Sequence, residues 1–354
     1  MDRELHVPPL EKYLSIIIFP FMGIGLIIGN YFPAFARVLP TYLPICLFLM
    51  IYPTMLNVRL DELKDAFTNF KKVGIITLFN FVLSPLLLAG LSYIFLQNHP
   101  ELFMGLLILS IPPCIALVLV WTFLADGNLA LAVTLAAVNS IVQLFLIPLY
   151  LPVLGGLFGL REQLQAEAVL AFGPIAREVL IYLALPFMCA LLTRYFLEPR
   201  KGRAWFEDVF VPKVGNIAPI GVLITITVMF SVGGSHIMEN PLLLLLTAVP
   251  LIIFFPLNWL IGIFITGNIM NLGYEDAVAA AFSFSGRNIE VAMALSAALF
   301  GAGSLTAMAT VVGPIVGIPS WIIMLNIAQR VFMPRNKKQK LAKEKVVQKS
   351  TSLE

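Results

Sequence analysis

The sequence predicts an all-α polytopic membrane protein with ten transmembrane helices, arranged as two inverted five-helix repeats. Three observations lead to this prediction. Of the 354 residues, 59% are hydrophobic and only 12% are charged, about half the charged share of a soluble domain. The apolar residues form ten runs long enough to cross a bilayer. Two of these runs are interrupted near their middle. So few charges cannot cover a soluble surface, and the composition also excludes disorder, nucleic-acid binding and a secreted disulfide scaffold.

Each predicted span contains about 20 mostly apolar residues, the number that a membrane-crossing helix requires. The spans are 13–32, 39–56, 73–96, 102–124, 129–151, 175–196, 210–232, 241–266, 274–300 and 303–329. The region before the N-terminal span is not the basic n-region of a signal peptide, and no small-residue cleavage site follows the span, so we expect it to be retained. The predicted units are a first repeat (1–156), an amphipathic interfacial linker (157–172), a second repeat (173–330) and a basic tail (331–354).

The basic residues predict the orientation of the spans. With ten spans, 19 of the 23 Lys and Arg residues fall on the side that holds both termini, and three fall on the other side. Lys and Arg concentrate in cytoplasmic loops, so we expect a multi-pass protein of the cell membrane with both termini in the cytoplasm. The remaining basic residue, Arg287, lies inside span nine.

Short sequence matches between the two halves predict the repeat. Pro-Phe steps begin at Pro20 and Pro186, and Pro-Ile steps begin at Pro44 and Pro219, an offset of roughly 170 residues in each case. Because five spans is an odd number, two such halves must be inverted relative to each other. Inverted repeats are common in transporters, which bind solutes at the midplane where discontinuous helices meet. Chance matches in apolar sequence are the alternative explanation.

Spans four and nine are the interrupted ones. Span four contains Pro112 and Pro113, which each remove a backbone N–H donor and therefore break the helix. Span nine contains Ser285 and Gly286 in a polar segment near its middle. Carbonyls that a break sets free persist at that depth only against protein or a wet cavity. Breaks at corresponding positions in both halves therefore predict a binding site.

Arg287 and Glu290 are the only ionisable residues deep within a predicted span. Each costs roughly 2.5 to 3.5 kcal/mol at the centre of a membrane helix, which favours a functional reason for their presence. We expect Glu290 to carry a coupling proton or to hold an ion. The alternative is that the two residues, three apart on a helix, pair and neutralise each other. Asn288 lies between them and is included in the candidate substrate site.

Cys114 directly follows the proline break, and a soft thiolate there could bind a thiophilic solute. The alternative is a buried cysteine that acts as a small hydrophobe. Polar residues also recur one helical turn apart, at Asn80 and Ser84 and at Asn139 and Gln143. They either line a polar crossing or hold helices together. Asn139 and Gln143 are included in the candidate substrate site, with Cys114, Arg287 and Glu290. Because no His or second Cys accompanies Cys114, the sequence predicts neither a metal site nor a cofactor.

Several segments resemble the arsenite efflux permeases of the yeast arsenical-resistance type, within the bile acid/arsenite/riboflavin transporter superfamily. These segments are 49–56 with 58–59, 114–121, 124–128, 137–143, and 300–301 with 309–314, and the resemblance extends across nearly the whole chain. It implies a panel of spans one, two, six and seven and a core in which the two broken helices cross. It also implies that Cys114 and Glu290 are the functional pair in export of trivalent arsenic or antimony, driven by the proton-motive force.

The chain departs from that family at both breaks. The family usually has an Asn-Asn-aromatic-Glu segment in span nine, whereas the Arg287-Asn288 step resembles the bile-acid/sodium symporters. The family also usually has a bulkier or basic residue before the cysteine, where this chain has Pro112 and Pro113. A fixed cation such as Arg287 could favour an anionic substrate.

We therefore expect a secondary active transporter that exports arsenite or antimonite by proton antiport, with no enzymatic activity. No catalytic or nucleotide-binding motif is found in the sequence. A sodium-coupled symporter of an organic anion is the main alternative, and a receptor or scaffold that binds a ligand without moving it is a third. The expected partners are a small inorganic or organic solute, protons or sodium as the coupling ion, and the lipid bilayer, with no nucleic acid.

Overall fold

The computed structural model describes residues 14–56, 70–115, 117–163, 172–239 and 242–333. These residues are almost entirely helical, and within them the sole β-type pairing is one isolated bridge. The described chain is therefore all-α, as the sequence predicts. Half of the predicted interfacial linker (164–171) and most of the predicted tail (334–354) lie outside the described residues.

The principal helices are numbered in chain order. They are α1 (Leu14–Tyr31), α2 (Leu43–Met55), α3 (Phe70–Leu96), α4 (Pro100–Ser110), α5 (Leu117–Leu124), α6 (Leu129–Leu157), α7 (Leu185–Lys201), α8 (Ile217–Glu239), α9 (Leu242–Ile263), α10 (Tyr274–Ser285), α11 (Ile289–Phe300) and α12 (Leu305–Ile327). Shorter helical segments are Pro33–Ala36, Leu39–Tyr42, Leu160–Gln163, Phe172–Val179, Leu180–Ala184, Arg203–Trp205, Phe206–Phe210, Val211–Gly215, Phe264–Ile269 and Ala328–Phe332.

Seven helices of the described chain are long and apolar enough to cross a membrane. They are Pro33–Pro53, Phe70–Leu96, Leu129–Leu157, Ile175–Lys201, Arg203–Val232, Leu242–Ile269 and Leu305–Phe332. The predicted spans one, four and nine contain shorter apolar helices, namely Ile17–Tyr31, Pro100–Ser110 and Ile289–Phe300. The protein is therefore a multi-pass membrane protein, whereas the count of ten spans in two repeats stays a prediction.

The helices pack in two groups. One group contains α1, α2, α7 and α8, which come from the predicted spans one, two, six and seven. The other contains α3, α4, α6 and α9 to α12, with α5 packed against α6 and α10. The two groups meet along α12, which contacts α1 and α8, and along α11, which contacts α2.

Hydrogen bonds at one end of the second group align three helices in depth. Asp276, in the first turn of α10, accepts from Lys72 Nζ at 2.9 Å and from Asn128 Nδ2 at 2.7 Å. Asn128 also caps α6 by accepting from the backbone N–H of Leu131 at 3.1 Å. Because α3, α6 and α10 begin at the same level, they run in the same direction. In each of these helices, a residue eight positions after the aligned N-terminal end lies about 12 Å deeper.

Small residues allow α1 and α8 to approach closely. A Cβ atom built on Gly25 would lie 2.6 Å from the carbonyl oxygen of Thr227, and one built on Gly29 would collide with the carbonyl oxygen of Ser231. The four-residue spacing of these glycines is typical of helix contacts in membranes, where small residues let backbones meet. Gly23 faces open space, since no atom lies within 4 Å of its Cβ position.

The α1–α8 contact predicts different outcomes for two glycines in one helix. We expect Gly25→Val to lower the free energy of unfolding by about 1 to 3 kcal/mol, because the added side chain separates the two helices. Gly23→Val is the matched control and should leave stability nearly unchanged. Thermal unfolding of the two purified variants in the same detergent measures the difference. Equal melting temperatures would contradict the close packing described here.

Candidate functional site

The two interrupted helices meet at their interruptions. The described chain is not helical at residues 111–115 in the first case and at residues 286–288 in the second. The backbone N–H of Cys114 donates to the carbonyl of Gly286 at 3.0 Å, and the backbone N–H of Asn288 donates to the carbonyl of Pro112 at 2.8 Å. These two bonds form an antiparallel bridge between Pro113 and Arg287.

Local chemistry explains each interruption. Pro112 and Pro113 have no N–H to donate to the preceding turn, so α4 ends at Ser110. In the second interruption Gly286 makes the close approach possible. A Cβ atom there would lie 2.9 Å from the carbonyl oxygen of Phe282 and 3.0 Å from Cβ of Cys114. Any larger residue at this position would push the two segments apart.

Arg287 is fully buried at the centre of this crossing. Its Nη1 atom donates to the carbonyl of Ser110 at 3.0 Å, and its Nη2 atom donates to the carbonyl of Phe284 at 2.6 Å. Nη2 also donates to the side-chain oxygen of Asn80. Longer contacts join the guanidinium to the carbonyls of Ser283 at 3.4 Å and Asn80 at 3.5 Å. The guanidinium therefore binds the carbonyl ends of both α4 and α10.

Arg287 and Glu290 do not form an ion pair, which their spacing in the sequence had left open as an alternative. Both Nη atoms of Arg287 point at neutral oxygens, and no ion pair joins it to a carboxylate within the described ranges. The reason is local: Arg287 lies in the extended segment before α11, whereas Glu290 lies in the first turn of α11. The two residues are therefore not one turn apart on a common helix.

Glu290 lies beside the crossing and is partly exposed. Asn288 caps α11, because its side-chain oxygen accepts from the backbone N–H of Val291 at 3.1 Å. This cap places the Glu290 carboxylate at the N-terminal end of α11, where the helix dipole favours negative charge. Nδ2 of Asn288, by contrast, has no hydrogen-bond partner among the described residues.

Cys114 lies on the crossing itself. Its residue is 3% exposed, and its backbone is tied to Gly286 of the other interruption. The other two cysteines lie in the first helix group, Cys46 on α2 and Cys189 on α7. Of the three thiols, Cys114 is thus the one that the fold brings to the interrupted helices.

Asn139 and Gln143 lie on α6, one turn apart and both fully buried. Nδ2 of Asn139 donates to Oγ of Ser283 at 3.4 Å, and Nδ2 of Asn80 donates to the same oxygen at 3.0 Å. Gln143 is one turn further along α6, level with the second interruption. Neither polar atom of its side chain has a partner in the part of the chain that is described, and the same holds for Oδ1 of Asn139 and Oγ of Ser285.

Two buried amide side chains make hydrogen bonds in the site that were not predicted from the sequence. Asn80 was expected to line or hold helices, and it is the side chain that accepts from Arg287. Asn258 of α9 was missed. Its amide donates to Oγ of Ser84 at 2.9 Å and to the Phe284 carbonyl. An amide side chain within the apolar residues of α9 was the available signal, because a buried amide in a membrane requires partners.

Comparisons with known proteins relate the chain to transporters. Residues 44–240 match the model of the sodium bile acid symporter family. The chain is 34% identical over 329 residues to the arsenical-resistance protein Acr3 of Corynebacterium glutamicum, which covers 90% of this chain and 88% of the relative. It is 28% identical over 344 residues to Acr3 of Alkaliphilus metalliredigens, covering 90% and 92%.

A more distant relative is the uncharacterized sodium-dependent transporter YocS of Bacillus subtilis, 23% identical over 274 residues, with 77% of this chain and 79% of the relative covered. The family match spans more than half of the chain, and the match to the first Acr3 protein exceeds 30% identity over most of both proteins. On these grounds the chain belongs to the sodium bile acid symporter family.

Proposed function

We propose that this chain is a secondary active transporter that exports arsenite or antimonite by proton antiport. The observation that carries the proposal is the position of Cys114, whose backbone joins the two interrupted helices at their crossing. Two relatives that cover nine-tenths of the chain are named arsenical-resistance proteins, which supports arsenic as the substrate.

The chemistry of a single thiol suits a solute that must be bound and then released. Arsenous acid is neutral at pH 7 and thiophilic, and sulfur is the soft ligand that such an element prefers. When the Cys114 thiol attacks arsenous acid, an S–As bond forms, an As–O bond breaks, and the thiol proton leaves with the hydroxide as water. One S–As bond is readily reversed by water, whereas several together would trap the solute.

Glu290 is proposed as the group that carries the coupling proton. Its carboxylate lies in the first turn of α11, partly exposed and not paired with Arg287. A carboxylate beside a buried crossing can take up and release a proton as access alternates. Asn139, Gln143 and Asn288 are proposed to line the solute path, since each keeps a buried polar atom without a partner in the described chain.

Ten spans with both termini in the cytoplasm remain the proposed topology. The N-terminal ends of α3, α6 and α10 lie together around Asp276, as expected if all three enter from the same face. At the same proposed face Arg194 of α7 donates to the carbonyl of Leu56 after α2 at 3.0 Å, and Gln329 donates to the carbonyl of Leu124 at 2.7 Å. Each contact joins helix ends that ten alternating spans would place on one side.

The second candidate function is sodium-coupled transport of an organic anion. The family name and the name of the Bacillus subtilis relative favour sodium. An anion would need a cation to bind, and Arg287 is the buried cation at the crossing. Both of its Nη atoms, however, already donate to oxygens of α3, α4 and α10, so an anion would have only Nε, which has no hydrogen-bond partner among the described residues.

The thiol proposal predicts that Cys114→Ala lowers the apparent affinity for arsenite at least tenfold, since loss of one S–As bond removes at least about 1.4 kcal/mol. Arsenite uptake into everted membrane vesicles measures this. Cys46→Ala is the matched control, because Cys46 is also buried but lies in the other helix group. Undiminished arsenite transport by Cys114→Ala would reject the thiol site.

The carboxylate proposal predicts that Glu290→Gln stops transport driven by a pH gradient but leaves arsenite exchange intact. Exchange between labelled and unlabelled solute needs no net proton movement, so only the coupled reaction should fail. Glu101→Gln is the matched control, because Glu101 is also in the first turn of a half-helix, α4, but is exposed. Gradient-driven transport by Glu290→Gln at the normal rate would exclude this role.

The proposed topology predicts opposite outcomes for reporter fusions at two positions. A fluorescent protein that folds only in the cytoplasm should be fluorescent when it follows Glu354 and dark when it follows Gln163. Alkaline phosphatase, which is active only outside the cytoplasm, should give the reverse result. The same reporter being active at both positions would rule out an odd number of spans between them, and with it the proposed five-span second repeat.

A further inference from the structure

The oxygens around Arg287 form a cage of neutral groups. The carbonyl of Ser110 ends α4, and the carbonyls of Ser283 and Phe284 end α10. Asn80 adds its side-chain oxygen and its backbone carbonyl from α3. We name this group of five oxygens the carbonyl cage. Its members come from three helices and surround a cation that is fully buried.

Such a cage has the chemistry of an alkali-cation site. The C-terminal end of a helix carries about half a negative charge from carbonyls that have no partner within the helix. Two such ends, α4 and α10, converge here at the point where both helices are interrupted. In membrane transporters the coupling sodium ion is coordinated by unwound carbonyls and by the ends of half-helices. Hard oxygen donors of this kind prefer hard cations.

The cage also needs a positive charge. Several carbonyl dipoles aimed at one buried point repel each other unless a cation or donors lie between them. Within the described residues that cation is the Arg287 guanidinium, and no carboxylate balances it there. Asn258 contributes a neutral donor to the Phe284 carbonyl from α9. The guanidinium is therefore stabilised by dipoles, as a coordinated metal cation would be.

We propose that Arg287 is a tethered cation that fills the carbonyl cage in place of a coupling sodium ion, so that this chain does not bind sodium there. Its physiological meaning rests on the proposed function. If that function holds, sodium is not the ion used at this crossing. This exclusion of sodium sets this chain apart from what its family name implies.

The test is the sodium dependence of thermal stability, measured on purified protein in sodium chloride and in potassium chloride of equal ionic strength. We expect the melting temperature of the unmodified protein to be the same in both salts. Arg287→Ala should be less stable in potassium, and its melting temperature should rise with the logarithm of the sodium concentration, because the emptied cage binds the ion in the folded state only. Arg287→Lys is the matched control and should show no sodium-specific rise, since its ammonium keeps the charge.

The outcomes separate the proposal from a purely structural role of Arg287. A sodium-specific rise in the unmodified protein, or equal behaviour of Arg287→Ala in the two salts, would overturn it. If Arg287→Ala can be isolated only from sodium-containing buffer, the proposal is supported. Failure to isolate it from either salt, while Arg287→Lys is obtained, counts against a cage with affinity for sodium. None of these measurements uses arsenite, so they succeed or fail independently of the Cys114 and Glu290 experiments.

Discussion

Two backbone hydrogen bonds, Cys114 to Gly286 and Asn288 to Pro112, hold the interrupted helices together. The rest of the site depends on them, because a helix interrupted inside a membrane exposes carbonyl and N–H groups that lipid cannot satisfy. Each interruption supplies partners to the other. The pairing brings a thiol, a guanidinium and the capped end of α11 to one place from segments about 170 residues apart in the chain.

Side chains at the ends of the interrupted helices add to the backbone hydrogen bonds. The carbonyls of Ser110 and Phe284, at the C-terminal ends of α4 and α10, both accept hydrogen bonds from the Arg287 side chain. At the N-terminal end of α11 the helix dipole has the opposite sign. Asn288 caps this end, and Glu290 lies in the first turn. Carbonyl ends thus face a fixed cation, and the N-terminal end of α11 faces a carboxylate, which is the arrangement that helix dipoles favour.

The surrounding helices keep these groups at one depth. Asp276 aligns the starts of α3, α6 and α10, so Asn80, Asn139 and Ser283 reach the same level and share hydrogen bonds. The first helix group is held by the close contact of α1 and α8 at Gly25. The second group therefore places the polar crossing beside a separately packed group of helices.

The apolar character of the helices and the positions of the two interruptions were predictable from the sequence because each depends on local chemistry: apolar runs, prolines without N–H donors, and glycine. The hydrogen-bond partners of Arg287 were not predictable, since its spacing from Glu290 along one helix offered only an ion pair between the two, as the alternative to a functional role. Only the tertiary structure decided that the chain is extended at Arg287, which turns its side chain toward the carbonyls of α4 and α10. Asn258 was missed for the same reason, because the hydrogen-bond partners of a buried polar group come from helices distant in sequence.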